Sequence, residues 1–314
     1  MRAITKVAMG VALLLGAMQT WAEKAPQVSA GQLEQLQGVS FKSVLPRTLE
    51  VWLPDNVDGK KLAVLYMHDG QMLFDATTSW NGQEWRVDEV AQQLIDNGTT
   101  IPFMVVGVHN AGEHRRAEYF PQQAFDGLDE HGRQAFFEFQ KQSGVPVRQP
   151  YSDDYLKFLV EELKPYIDRH YPVHTGPEYT FLMGSSMGGL ISMYGLTQYP
   201  EVFGGAACLS THWPGIHDLN DNPIPKAFRD YLEHKLPEAN SRKLYFDYGD
   251  QTLDALYPPL QQAVDKVMVA QGWSSPQWQT RFFPGTNHSE NAWADRLAIP
   301  MTFLLGKAGR QEEE

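Results

Sequence analysis

The sequence predicts a doubly wound α/β fold, a mainly parallel sheet with helices on both faces. Three observations carry this. Short continuous apolar runs alternate with amphipathic stretches along most of the chain, the clearest helical stretch lies between two of those runs, and one run ends in a Gly-Ser turn that leads straight into another helical pattern. The runs are KLAVLYMH (61–68), FMVVGVH (103–109), YTFLMG (179–184), FGGAACLS (203–210), KLYFDYG (243–249) and WQTRFFPG (278–285). Strands that are apolar on both faces suit a parallel sheet covered on both sides. The helical stretch is SDDYLKFLVEELKPYIDRHY (152–171), where Tyr155, Phe158, Leu159, Leu163 and Ile167 share one face and the opening acids favour the helix dipole.

Before the first parallel strand, FKSVLPRTLEVWLP (41–54) reads as an antiparallel hairpin or pair at the sheet edge, with 23–39 as a lead-in. Residues 111–150 break the rhythm. They are rich in charge, Gln and Gly, with one short helix expected at RQAFFEFQK. A long insertion after a strand reads as a candidate lid or as a surface excursion. The domain is expected to span 40–306, with 307–314 as a frayed tail.

The first 22 residues read as a secretory signal peptide. Arg2 and Lys6 form a positive start, VAMGVALLLGA is a short apolar core, and Thr20-Trp21-Ala22 offers a small-x-small cleavage site. The mature chain is therefore expected in the periplasm or secreted, with no membrane span after cleavage. Its single cysteine, Cys208, lies in an apolar run and permits no internal bridge, so stability must come from the core. The formal charge of −12 becomes −14 once Arg2 and Lys6 are removed. Such acidity argues against nucleic acid as a partner, and against a strongly anionic substrate unless the pocket is locally basic.

Gly184-Ser185-Ser186-Met187-Gly188 fits G-x-S-x-G, the nucleophile elbow of α/β-hydrolases, and it falls between a strand and a helix as that elbow requires. Gly-rich loops also match so short a pattern, so the other parts decide. Serine needs a base, and histidine suits that near neutrality. In the order Ser, acid, His, His288 is the candidate base, on a tight turn after the last strand in FFPGTNHSENAW. The acid belongs in GDQTLDALYPPLQ, where spacing alone leaves Asp250 and Asp254 open, while Asp247 falls inside the strand. The backbone N–H groups of Met187 and Gln71, the latter in YMHDGQMLFD, are the candidate oxyanion donors.

The segments RTLEVWLP, LYMHDGQMLFD, VGVHN…RRAEYFP, GSSMGG, FDYGDQTLDA and FPGTNHSENAW together resemble the Putative esterase family of α/β-hydrolases, across most of residues 40–305. Feruloyl and acetyl xylan esterases, esterase D, siderophore esterases and the mycolyltransferase antigens belong to that family. The resemblance implies the α/β-hydrolase fold, no metal or organic cofactor, and Asp254 as the acid.

Loop position makes Trp80, Trp85, His212 and Trp213 candidate substrate contacts, with the core as the other reading for Trp85 and a structural role for His212. Arg116 and Glu118 read as an ion pair pinning the insertion. His109, Glu113 and His114 lack the H-E-x-x-H spacing, and His170 and His174 have no third ligand nearby, so metal chemistry is not expected. The expected partner is a small-molecule ester such as an acylated sugar, cleaved by a serine esterase. The alternatives are a siderophore lactone esterase, an acyltransferase on the same residues, and a catalytically silent binding protein.

Overall fold

The structure is a computed structural model that describes residues 25–36, 40–57, 59–239 and 242–307. The expected signal peptide and most of the expected tail lie outside the described residues. Eight strands form one sheet: β1 (Gln32–Leu36), β2 (Leu49–Leu53), β3 (Ala63–His68), β4 (Phe103–Val108), β5 (Thr180–Ser185), β6 (Gly205–Leu209), β7 (Lys243–Tyr248) and β8 (Trp278–Phe282). Their order is β1-β2-β4-β3-β5-β6-β7-β8. β1 and β2 are antiparallel to each other, β2 is antiparallel to β4, and the remaining pairs are parallel.

The six expected parallel strands are therefore present. The expected antiparallel pair is not contained in 41–54: β2 pairs instead with β1, from the stretch read as a lead-in. Gln32-Leu33-Glu34-Gln35-Leu36 carries no continuous apolar run, because every residue of this edge strand is at least partly exposed.

Strand pleating divides the core. On β3, Val64 and Tyr66 join one apolar layer, while Ala63, Leu65 and Met67 join the other. Helices α1 (Val87–Asp96), α2 (Arg115–Tyr119), α3 (Gln122–Asp126) and α4 (Glu130–Gln142) are followed by α5 (Ser152–Lys157) and α6 (Lys164–His170), which a π-helical stretch (Phe158–Leu163) joins. Then come α7 (Met187–Gln198), α8 (Ile224–Lys235), α9 (Pro258–Ala270), α10 (Glu290–Ala294) and α11 (Ala298–Leu305). Val87, Ala91, Trp293, Met301 and Leu304 place α1, α10 and α11 on the Leu65 face. The 115–142 and 152–170 helices, with α7, α8 and α9, cover the Val64 face.

The insertion is not a solvated excursion. Tyr119, Phe120, Phe125 and Phe136 are buried, and Phe120 meets Phe136 and Phe228 at ring-centroid distances of 4.7 and 5.1 Å. The expected Arg116–Glu118 pair is absent, because residues two apart on a helix point to different sides. Glu118 instead accepts from both Arg47 Nη atoms at 3.0 and 2.6 Å, with each side chain 1 % exposed. That buried pair ties the insertion to the chain entering β2.

Candidate active site

β5 ends at Ser185 and α7 begins at Met187, so Ser186 alone makes the turn. Its φ of 57° and ψ of −119° lie where a side chain is strained, at a cost of about 1–3 kcal/mol. Neighbouring structure holds it there. The Ser186 N–H donates to the Leu209 carbonyl at 2.9 Å, and the Ser186 carbonyl accepts from Gly189, Leu190 and His212. A Cβ on Gly184 would come within 2.8 Å of the Gly188 backbone, which shows how closely strand and helix approach. α7 is buried almost throughout, so the turn sits on a rigid element.

The loop after β3 faces the elbow. A Cβ on Gly188 would lie 3.4 Å from both Asp69 Oδ2 and His68 Cβ. Residues Gly70–Met72 form a single 3₁₀ turn capped by Asp69 in the left-handed region, and Gly70 packs against Gly107 so tightly that a Cβ there would come within 2.6 Å. The carboxylate of Asp69 accepts from Arg115 Nε and Nη2 at 2.6 and 2.7 Å and from Asn110 Nδ2 at 2.7 Å. Burial opposes ionisation of Asp69, but the Arg115 charge and these hydrogen bonds outweigh it and hold its pKa below the usual carboxylate range. Among the described residues, neither the Gln71 N–H nor the Met187 N–H has a hydrogen-bond partner. Unpaired donors are normal in the first turn of a helix, and here two such turns lie side by side.

The loops after β7 and β8 bring Asp254 and His288 together. Asp254 is fully buried; its Oδ1 accepts from His288 Nδ1 at 2.6 Å, and its Oδ2 accepts from Ser210 Oγ at 2.6 Å and Gly249 N–H at 2.7 Å. Asp250, the other acid that spacing left open, accepts from Gln251 Nε2 and the Gly285 N–H instead. His288 donates its N–H to Thr252 Oγ1, and its ring stands edge-on to Trp293 and Tyr257, with centroids 4.9 and 5.8 Å away. The Tyr257 hydroxyl neighbours the Ser186 side chain, so one phenol borders both the elbow serine and the imidazole. Burial and the Asp254 charge raise the Tyr257 pKa far above its ordinary value.

Several supporting residues were not singled out from sequence. Ser210 Oγ accepts from Trp293 Nε1 and Arg296 Nη2, both at 3.0 Å, while Arg296 Nη2 also pairs with Asp247 at 2.8 Å. A small polar residue at the end of β6 was the only local hint. Tyr257, Asp69 and Arg115 likewise act through partners more than 40 residues away in sequence.

The expected substrate contacts fare unevenly. Trp85 is core, packed on Trp293 at 5.4 Å, and Trp213 is core too, donating to Gln261 and lying against Phe228 and Phe246. For Trp85 this is the core reading that the sequence left open, and for Trp213 it corrects the expected contact: large aromatic area is most stable out of water. Trp80 is 80 % exposed, on a loop pinned beside His288 by the Asn81–Glu290 hydrogen bond of 2.8 Å. His212 is buried; its Nδ1 meets the Tyr257 hydroxyl at 3.0 Å and its Nε2 has no partner among the described residues.

Comparison with known proteins agrees with this architecture. A ferulic acid esterase superposes with a TM-score of 0.60 at 18% identity, covering 87% of this chain and 98% of that one. A CE1 ferulic acid esterase from Anaeromyces mucronatus, solved with ferulic acid, gives 0.57 at 17% identity, covering 90% and 92%. The enterobactin esterase from Shigella flexneri, solved in the presence of enterobactin, gives 0.62 at 16% identity, covering 90% of this chain but only 60% of that one. Such identities speak for the fold rather than the substrate. A comparison with curated protein sequences finds no match. The family model described as Putative esterase matches residues 45–299, from just before β2 to the start of the last helix. The chain therefore belongs to the Putative esterase family, carboxylic ester hydrolases built on the α/β-hydrolase fold.

Proposed function

We propose that this protein is an exported serine esterase that cleaves a small carboxylic ester, such as an acylated sugar, through an acyl-enzyme. Ser186 Oγ attacks the ester carbonyl carbon while His288 Nε2 takes the hydroxyl proton. As the tetrahedral intermediate collapses, the C–O bond to the alcohol breaks and His288 returns that proton to the leaving oxygen. Water then repeats the sequence on the acyl-enzyme and releases the acid. Asp254 fixes the tautomer, since a carboxylate at Nδ1 keeps that nitrogen protonated and leaves Nε2 as the acceptor. The Gln71 and Met187 amides receive the developing oxyanion.

The observation that supports this best is the 2.6 Å contact of His288 with a fully buried carboxylate, beside a strained serine that shares the Tyr257 neighbour. Export rests on residues 1–22. No helix among the described residues is long and apolar enough to cross a membrane. The test is hydrolysis of an aryl acetate, with Ser186→Ala as control. A loss of at least about 10³-fold and no labelling by a fluorophosphonate probe are expected. Unchanged turnover in that variant refutes the mechanism.

A further inference from the structure

Among the described residues Arg116 is a cation without an acid. Arg47, Arg115 and Arg296 each hold a carboxylate, whereas Arg116 donates from Nη1 to the Gly215 carbonyl at 2.6 Å and otherwise lies 4.3 Å from the centroid of the Phe139 ring. A guanidinium has five N–H donors, and most of this one's are unspent among the described residues. Burial and the charge of neighbouring Arg115 push its pKa down to about 10, and no acid offsets them.

A series of ring contacts leads from this cation toward the candidate nucleophile. The Phe139 ring meets His217 at 4.8 Å, His217 meets His212 at 5.8 Å, and His212 Nδ1 meets the Tyr257 hydroxyl that borders Ser186 and His288. The Arg116 charge acts on both His212 and His217, lowering the pKa of each. His212 is neutral, since burial and then the surrounding cations drive its pKa far down. When Tyr257 donates to Nδ1, the single proton of that neutral ring sits on Nε2, a buried donor with no partner. A buried unpaired donor and an unpaired cation along this series are both costly alone, and a single anion relieves both.

We infer that Arg116 and His212 Nε2 receive a carboxylate carried by the substrate, so that preferred substrates are esters with an anionic acyl or alcohol part; the inference rests on the esterase reading above. One guanidinium beside one neutral donor matches a monoanion. The chain's overall acidity repels anions at long range, so this local cation acts as a selector rather than a general attractor.

The test compares p-nitrophenyl butyrate with mono-p-nitrophenyl succinate, of similar length but carrying a carboxylate. The wild type should prefer the succinate in kcat/KM. Arg116→Gln should lower the succinate-to-butyrate ratio about ten- to hundredfold, and Arg116→Lys should give an intermediate ratio. Binding of monomethyl succinate to Ser186→Ala, followed by calorimetry, should vanish when Arg116→Gln is added. A wild type with no preference, or a ratio unmoved by both substitutions, overturns the inference, as does binding that survives the double change. Full turnover by Ser186→Ala would sink the serine mechanism instead, while Arg116-dependent binding would still uphold the anion site.

Discussion

Replacing Asp254 with asparagine should inactivate the enzyme while leaving it folded. Three donors converge on this carboxylate, two on Oδ2 (Ser210 Oγ at 2.6 Å and the Gly249 N–H at 2.7 Å) and one on Oδ1 (His288 Nδ1 at 2.6 Å). An amide keeps only one accepting oxygen. Pointing its NH2 at Ser210 and Gly249 would set donor against donor in a fully buried site, at a cost of about 1–3 kcal/mol for each donor left unpaired. The amide should therefore keep its oxygen there and turn the NH2 toward His288. That forces Nδ1 to accept, moves the imidazole proton to Nε2, and leaves no base for Ser186. The equivalent exchange in a serine protease lowers kcat about 10⁴-fold. We expect a fall of about 10³- to 10⁴-fold in aryl acetate hydrolysis between pH 6 and 9, with unfolding free energy lowered by no more than about 2 kcal/mol. Asp250→Asn, whose carboxylate among the described residues bonds Gln251 and Gly285, should stay within about twofold of wild type. Asp254→Asn within tenfold of wild type, or Asp250→Asn as the crippled variant, would refute this account.

Other outcomes follow from the same contacts. Glu118→Gln should destabilise the protein by about 3–5 kcal/mol in urea unfolding, because it leaves the buried Arg47 charge unpaired. Asp69→Asn should lower kcat by up to about 10²-fold with little change in KM, since it loosens the turn that presents the Gln71 amide. Stability should decline as pH falls below 6.5, measured by urea unfolding from pH 7.5 to 5. His68, pushed down to about 3 chiefly by burial, and His212 are neutral when folded yet take up protons when unfolded, so each contributes a slope of about 1.4 kcal/mol per pH unit in that range. Asp88 works the other way: its carboxyl, raised to about 6 mainly by burial, favours the fold below that pH and weakens it as pH rises through 6.

What could be read from sequence was local. Apolar runs located the six parallel strands within a few residues, because burial on both faces leaves little room for polar residues in β3 to β7. β8, WQTRF at the sheet edge, is only half-buried and was marked by its aromatic ends. The Gly184–Gly189 turn, and the positions of Asp254 and His288 after β7 and β8, were legible because a strand end followed by small or polar residues fixes where a loop must be. What escaped depends on partners distant in sequence. β1 is half solvated and could be identified only through β2. The helices of 115–142 hide apolar anchors among charges, since only one side of each is covered. Glu118 has cations two and three residues away, yet its partner Arg47 lies 71 positions earlier. Trp85 and Trp213 follow strands as pocket residues would, and only packing reveals that they are core.

The Arg47–Glu118 pair also limits how the 111–150 segment can rearrange. Lifting α2 away from the sheet would leave the buried Arg47 charge unpaired, a penalty that at about 3–5 kcal/mol keeps such an excursion below roughly one molecule in a hundred. The pair therefore holds α2 against the sheet, whereas the Pro121 junction and the stretch after α4 lie outside this restraint.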